Sequence, residues 1–219
     1  MKRIDWDAGF ETALKEGFGY LFSEELLSTI RSNGQLIEVE EGAIIMDLGD
    51  TMQFMPVLLD GAIKVLREDE EGDELLLYFL ESGDTCAMTM SCCMGDRKSK
   101  VRTVAERSSK IIMIPLDKMS DWIQEYPDWR AFVFDSYSAR LSELLESIDS
   151  LAFMNMHDRV YKYLKNKMLV NGSAELAVTH REVANDLHTS RVVISRVLKS
   201  LEREGRIAMH RNRLEVLDW

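Results

Sequence analysis

Cationic and hydroxyl side chains are concentrated in Thr179–Gly205, at spacings that place them on one side of a short helix. Arg191, Arg196 and Lys199 follow one another at intervals of five and three, and Ser195 lies among them. Arginine donates bidentate hydrogen bonds to guanine, lysine neutralises phosphate, and a short hydroxyl side chain permits close approach to a base edge. These residue types therefore suit the reading of a DNA major groove.

The same segment divides into two predicted helices. Thr179 and Glu182 have the spacing of a capping box, which predicts a helix that starts at residue 180 or 181. A second helix is predicted from an N-cap at Thr189 or Ser190 to about residue 204, where Gly205 suits a C-terminal stop. Two short helices joined by about three residues form a helix-turn-helix.

The second predicted helix separates apolar from polar residues. Its apolar stripe, at helical spacing, consists of Val193, Ile194, Val197, Leu198 and Leu201. The residues predicted to contact DNA are Thr189, Ser190, Arg191, Val192, Ser195, Arg196 and Lys199. An ordinary solvated amphipathic helix has a similar composition, but the order of cap, short helix, tight turn and basic-faced helix favours the DNA-binding interpretation.

The run from Thr189 to Arg196 resembles the recognition helix of the cyclic-AMP receptor protein and FNR (Crp-Fnr) family of bacterial transcription regulators. The resemblance implies DNA contacts by Arg191, Ser195 and Arg196. The family usually has glycine in the turn, where this chain has His188, a residue type that tolerates a positive φ better than most. The family also often has a glutamate that reads cytosine where this chain has Val192. Because valine packs on a thymine methyl instead, we expect a changed half-site.

Charge is distributed unevenly along the 219 residues. The formal net charge is -11, yet from His157 to Trp219 there are 12 lysines and arginines against 8 aspartates and glutamates, a net of +4 that leaves -15 for the preceding part. An acidic body with a basic C-terminal part predicts two domains, of which one faces phosphate. No apolar run approaches about 18 residues and no signal-peptide pattern opens the chain, so a cytoplasmic protein without membrane contact is predicted.

Short apolar runs between residues 35 and 80 are predicted strands of a compact antiparallel barrel or sandwich, because turn signals recur between them. The runs are Leu36–Glu40, Ala43–Met46, Phe54–Leu59, Ala62–Leu66 and Glu74–Leu80. The turn signals are Glu41-Gly42, Gly49-Asp50, Asp60-Gly61, Glu71-Gly72 and Ser82-Gly83. Residues 1 to about 30 are predicted to be helical.

This glycine spacing resembles the cyclic-nucleotide-binding β-roll of the same family. The resemblance implies an effector pocket at Gly83, Asp84, Met88, Lys98 and Ser99. Nucleotide-binding members have a glutamate where this chain has Met88, and an arginine before the serine or threonine where it has Lys98, which lacks the bidentate fork. We therefore expect an effector other than cyclic AMP. No cofactor is certain; an unidentified small-molecule or anionic effector is left open, and so is a plain solvated loop around Lys98.

Three cysteines, Cys86, Cys92 and Cys93, do not make a disulfide framework. Thiol- or metal-based redox sensing through them is an alternative function, since thiolates near basic residues can be reactive. The competing interpretation is that cysteines and methionines here fill a core. The chain lacks the N-terminal cysteine cluster by which FNR-type members hold an iron–sulfur centre.

After Pro115 the pattern is helical. A short helix is predicted over Leu116–Tyr126 and a long one from about Trp129 to Met154, with apolar residues at coiled-coil spacing. These are Phe134, Tyr137, Leu141, Leu144, Ile148 and Leu151. Such a seam needs a partner, which is either the chain's own β-domain or a second copy. The resemblance implies homodimerisation, and two-fold symmetry would place two recognition helices about 34 Å apart on DNA.

The C-terminal end has the pattern of a wing. After a hinge at residues 155–157 and a helix to about Leu169, the two alternating runs Arg206–Met209 and Leu214–Leu217 flank a basic turn. Arg211 and Arg213 would meet the phosphate backbone there; a plain edge hairpin is the competing interpretation.

The predicted fold is α+β, with a β-roll and flanking helices over 1–127, a dimerisation helix and hinge over 128–155, and a winged helix-turn-helix over 156–219. The predicted function is a homodimeric transcription regulator on a palindromic site, with double-stranded DNA and RNA polymerase as partners. A winged-helix protein-interaction module is an alternative. No enzyme is predicted, because P-loop, HExxH and paired CxxC motifs are missing from the sequence.

Overall fold

A computed structural model describes residues 2–6, 8–69, 72–86, 98–210 and 213–217. The chain forms two compact units, and the second takes a segment from the middle of the first. The N-terminal unit consists of Met1–Val65 with Tyr78–Glu143, and the C-terminal unit of Leu66–Leu77 with Leu144–Trp219. No helix among the described residues is long and apolar enough to span a membrane.

An antiparallel sheet of six strands organises the N-terminal unit. Its strands are β1 (Lys2–Ile4), β2 (Gln35–Val39), β3 (Ile44–Met46), β4 (Phe54–Glu68), β5 (Glu74–Glu81) and β6 (Arg102–Pro115). The strand order is β1-β2-β6-β4-β5, and β3 also pairs with β6. The helices before and after it are α1 (Ala8–Phe18), α2 (Glu24–Asn33), α3 (Leu116–Glu125) and α4 (Pro127–Phe153). The predicted α+β class and antiparallel roll are confirmed.

Two predictions about this unit were wrong: a turn at Asp60-Gly61, and a helical start to the chain, where β1 lies instead. Asp60-Gly61 is not a turn between two strands, because β4 runs through it without interruption. Gly61 has φ 117, and β6 approaches so closely that a Cβ on Gly61 would lie 2.5 Å from the Cβ of Ser109. The missing side chain therefore lets β4 continue past β6 at this close approach. The central strand β6 and the edge strand β1 were not predicted, since polar residues interrupt the apolar pattern of β6 and β1 has three residues.

Aromatic rings fix the start of α4 on the N-terminal unit. Phe22 lies between Phe18, stacked at 5.4 Å, and Phe132, met edge-on at 5.1 Å. Trp129 is fully buried in the same cluster. The first two turns of α4 therefore belong to the core, whereas its next turns carry exposed apolar side chains.

The C-terminal unit is a helical bundle with a three-stranded sheet. It contains α5 (Met156–Asn171), β7 (Glu175–Leu176), α6 (His180–Asp186), α7 (Arg191–Arg203), β8 (Ile207–His210) and β9 (Arg213–Val216). The sheet order is β7-β9-β8, antiparallel throughout. The core of the C-terminal unit includes Leu164, Val183, Ile194 and Leu198. Leu76 of β5 packs against that core.

Candidate nucleic-acid interface

The first helix of the motif begins where the sequence predicts. Thr179 is the N-cap of α6, and its side chain accepts a hydrogen bond from the Glu182 amide at 3.1 Å. The Glu182 carboxylate accepts from the Lys167 ammonium at 2.9 Å. Because Val183 and Ala184 are buried, α6 is fixed from its cap and from its apolar face.

The turn between the two helices takes the backbone conformation expected from its sequence. His188 has φ 50, a positive angle at a residue other than glycine. The His188 amide donates to the carbonyl of Asn185 at 3.0 Å, and the Thr189 amide donates to the carbonyl of Ala184 at 2.9 Å. These two bonds hold the turn in the left-handed region, where most side chains are strained.

The recognition helix α7 has the two faces that the sequence indicates. Its N-cap Ser190 accepts from the Val193 amide at 3.3 Å, while Ile194, Leu198 and Leu201 are buried. The exposed residues on the other side are Arg191, Val192, Arg196 and Lys199, and Thr189 and Ser195 are partly exposed. The buried stripe therefore fixes the rotation of α7 and turns its cations towards solvent.

The wing lies beside the recognition helix. β8 and β9 pair between Ile207 and Val216, and the exposed Arg213 of β9 donates to the Glu175 carboxylate at 3.0 Å. Arg211 lies outside the described residues. A cavity of about 500 Å³ opens between the wing and the two helices, and its lining includes Thr179, His180, Arg181, Arg191, His210 and Arg213. Its lining therefore combines three arginines with apolar residues, among them Val178, Leu198 and Leu214.

One hydrogen bond between the two helices of the motif was not foreseen from the sequence. The His180 ring, at the start of α6, lies with Nδ1 2.9 Å from the hydroxyl oxygen of Ser195 on α7. The two residues are 15 positions apart, and no periodicity within one helix relates them. Only the packing of α6 on α7 brings them together.

The predicted effector residues are engaged within the N-terminal unit. Ser99 is buried, and its hydroxyl donates to the Val101 carbonyl at 2.6 Å. The Lys98 ammonium donates to the Gly49 carbonyl at 3.0 Å. Gly83 takes a positive φ of 97, as a turn requires. Met88 lies outside the described residues.

Asp84, the remaining predicted effector residue, pairs with a buried arginine of α4 that sequence reasoning missed. The Arg140 guanidinium is 3.1 Å from the Asp84 carboxylate and donates to Glu143 at 2.7 Å and to the Phe79 carbonyl at 3.1 Å. It also lies over the Tyr78 ring, 5.3 Å from its centroid. The sequence indicates only one contact of this cluster, the pair Arg140 and Glu143, which are three residues apart on a helix.

Cys86 is fully buried beside Tyr78. Burial, followed by the neighbouring Cys86 thiol, raises the pKa of the Tyr78 phenol well above its usual range. A buried thiol of this kind is shielded from oxidants, so Cys86 belongs with structural cysteines. Cys92 and Cys93 lie outside the described residues.

Four of the six residues of the predicted dimer seam are exposed on α4. Phe134, Tyr137, Leu141 and Ile148 are between 49% and 63% exposed, and so is Leu145, which the sequence did not place in the seam. Leu144, placed in the seam by the sequence, is partly buried, and Leu145 stands beside it in solvent. The side chain of Leu151 lies outside the described residues.

Two family models match the chain. The Crp-like helix-turn-helix domain matches residues 152–219, which contain α5, α6, α7 and the wing. The cyclic nucleotide-binding domain matches residues 36–126, which contain most of the sheet.

Curated relatives and solved structures are similar over most of the chain. The "Global nitrogen regulator" of Synechococcus elongatus is 24% identical over 84% of this chain and 86% of its own. The "cAMP-activated global transcriptional regulator CRP" of Salmonella typhimurium is 27% identical over 74% and 80%. A crystal structure of a putative Crp/Fnr-family regulator from Eubacterium rectale, 24% identical, superposes with a TM-score of 0.77 over 92% of this chain and 93% of its own.

Proposed function

Because the chain belongs to the Crp-Fnr family of transcription regulators, we propose that two copies of it bind a palindromic DNA site through their recognition helices. The observation that carries the proposal is the exposure of three cations on α7, Arg191, Arg196 and Lys199, on a helix whose Ile194, Leu198 and Leu201 are buried. In a major groove these side chains would face base edges and phosphates.

The contacts divide by chemistry. Arg191 and Arg196 donate to guanine edges, whereas Lys199 and Arg213 neutralise phosphates and carry no sequence information. Val192 is 60% exposed at the start of α7 and packs on a thymine methyl group. Thr189 and Ser190 donate to the backbone where the helix enters the groove.

Dimerisation uses the seam of α4, defined as Phe134, Tyr137, Leu141, Leu145 and Ile148. Five large apolar side chains are exposed on one helix, and their spacings of three, four, four and three residues keep them on one side of it. A second copy of the chain would cover the patch and fix the spacing of the two recognition helices.

DNA binding is tested with a duplex selected from a random inverted-repeat pool and measured by fluorescence anisotropy. Arg196→Ala should weaken binding by about 5-fold to 150-fold, since a bidentate contact to guanine is worth about 1–3 kcal/mol. Arg130→Ala removes an exposed arginine of α4 and serves as the control. Failure to select a site at low salt, or equal losses in both variants, would contradict the proposal.

Dimerisation is tested separately by sedimentation equilibrium. Leu141→Glu places a charge in the seam and should convert dimers to monomers at micromolar concentration. Leu169→Glu alters a leucine on α5 that is even more exposed than Leu141 and should leave the dimer intact. A wild-type protein that is monomeric throughout would disprove the role of the seam.

The β-roll senses an effector other than cyclic AMP in this proposal, and the regulator acts together with RNA polymerase. It is supported by Met88 at the position of the family's ribose-binding glutamate and by the engagement of Ser99 and Asp84 inside the protein. Thermal unfolding with added nucleotides and anions tests it. A saturable shift of the melting temperature by micromolar cyclic AMP would reject it.

A further inference from the structure

The hydroxyl of Ser195 has two partners inside the protein. Its oxygen lies 2.9 Å from the carbonyl oxygen of Arg191, one turn earlier on α7, and 2.9 Å from Nδ1 of His180 on α6. Ser195 is partly exposed between Arg191 and Arg196. The hydroxyl is therefore held within the motif, on a residue that is partly exposed on the side of α7 that carries Arg191 and Arg196.

Counting hydrogens assigns the direction of each bond. A carbonyl oxygen only accepts, so the single hydroxyl hydrogen of Ser195 goes to Arg191. The bond to His180 then requires the hydrogen to be on Nδ1, and the ring donates to the serine oxygen. An imidazolium ring also donates from Nδ1, so the arrangement does not depend on the charge of His180. The Ser195 oxygen keeps one lone pair and no hydrogen to give.

We propose that His180 is a positioning residue for base recognition, which holds the Ser195 hydroxyl as a pure acceptor and so selects a base that presents an exocyclic amino group. Only adenine N6 and cytosine N4 donate in the major groove; guanine and thymine present acceptors there. A free serine can donate or accept and reads either kind of base. The inference rests on the proposed binding of DNA by α7 and adds a rule for one base pair of the site.

The surroundings of His180 support a fixed ring. The residue follows the N-cap Thr179 directly, is partly buried, and lines the cavity together with Arg181, Arg191 and Arg213. His180 is thus close to the DNA-facing residues, while its Nδ1 is already occupied by Ser195. We therefore assign its effect on specificity to Ser195, and not to a base contact of its own.

The test is selection of operators from a randomised half-site by the full-length protein and three variants. Wild type should prefer adenine or cytosine over guanine or thymine by about 10-fold at one position. His180→Phe keeps a planar ring but removes the donor, and this preference should fall to about 2-fold while the other positions keep theirs. His180→Asn puts an amide donor near the position of Nδ1 and should restore the preference. Ser195→Ala should abolish it, with or without His180→Phe.

Base analogues confirm the atom that is read. Purine in place of adenine, or 2-pyrimidinone in place of cytosine, lacks the amino group and should weaken wild type but not Ser195→Ala. Circular dichroism checks that each variant is folded. If wild type selects an operator and His180→Phe selects the same bases with the same ratios, the inference is wrong and the proposed function stands. A wild type that prefers guanine or thymine at the Ser195 position also overturns it, and one that selects no site overturns both.

Discussion

The guanidinium of Arg140 is 3.1 Å from the Asp84 carboxylate, and this bond ties the long helix α4 to the turn that follows β5. Arg140 is 7% exposed. Arg140→Met should lower the free energy of unfolding by about 2 kcal/mol, because Asp84, Glu143 and the Phe79 carbonyl lose a shared donor. Urea unfolding measures it, with Arg130→Met as the exposed control on the same helix, expected to change less than about 0.5 kcal/mol. If both variants lost the same free energy of unfolding, the buried contacts of Arg140 would add no stability beyond that of an exposed arginine.

The close approach at Gly61 makes that position intolerant of any side chain. Gly61→Ala would place a Cβ 2.6 Å from the Cα of Ser109, in a backbone with φ 117. We expect a loss of more than about 3 kcal/mol, because backbone must move. Gly172→Ala is the control: its φ is 62 and no atom lies within 4 Å of the new Cβ, so about 1 kcal/mol is expected. Thermal unfolding compares the two, and similar melting temperatures would refute the steric explanation.

Because His188 has a positive φ, glycine and valine at this position should differ in their effect on stability. His188→Gly should leave stability within about 1 kcal/mol of wild type, because relief of strain offsets the greater freedom of the unfolded chain. His188→Val should lose about 2 kcal/mol, since a β-branched residue is strongly disfavoured at φ 50. Calorimetry of both variants provides the measurement. A valine variant as stable as the glycine variant would mean that the turn relaxes to another conformation.

The hydrogen bonds of the Asp128 carboxylate should stabilise the fold at neutral pH and less so in acid. Its carboxylate accepts from the backbone amides of Ser23 at 2.6 Å and of Trp129 at 3.0 Å. Burial acts to raise the pKa of Asp128, but hydrogen bonds from Ser23 and Trp129 outweigh it and hold the pKa below the ordinary value of 3.8. The contribution is therefore complete at neutral pH and is lost as the pH falls through the folded pKa.

Asp128→Asn should cost about 1 kcal/mol at pH 7, because the Ser23 and Trp129 amides lose a charged acceptor, and the difference from wild type should shrink below pH 3.8. Urea unfolding at pH 7 and at pH 3 measures both values. Asp135→Asn alters an exposed carboxylate of the same helix and should have little effect at either pH. A difference that is constant with pH would disprove the linkage.

Sequence patterns predicted the features that depend on residues close to one another along the chain. The caps at Thr179 and Ser190, the positive φ of His188 and the apolar stripe of α7 all depend on residues within a few positions of one another. Features set by distant residues were missed: β6 pairs with strands far away in sequence, and Gly61 lies within β4 as a glycine because Ser109 packs against its backbone. The burial of Arg140 likewise depends on partners 56 and 61 positions away, which no periodicity reveals.

The hairpin segment Leu66–Leu77 belongs to the C-terminal unit, with Leu76 on its core and the Leu77 carbonyl accepting from the Ser147 hydroxyl at 3.1 Å. A truncated polypeptide that started near residue 150 would lack this segment. It would therefore tend to aggregate, because apolar surface that Leu76 normally covers would be exposed to water. An isolated C-terminal unit should therefore be produced either with the segment Leu66–Leu77 attached through a short linker or with charged substitutions on the exposed apolar surface.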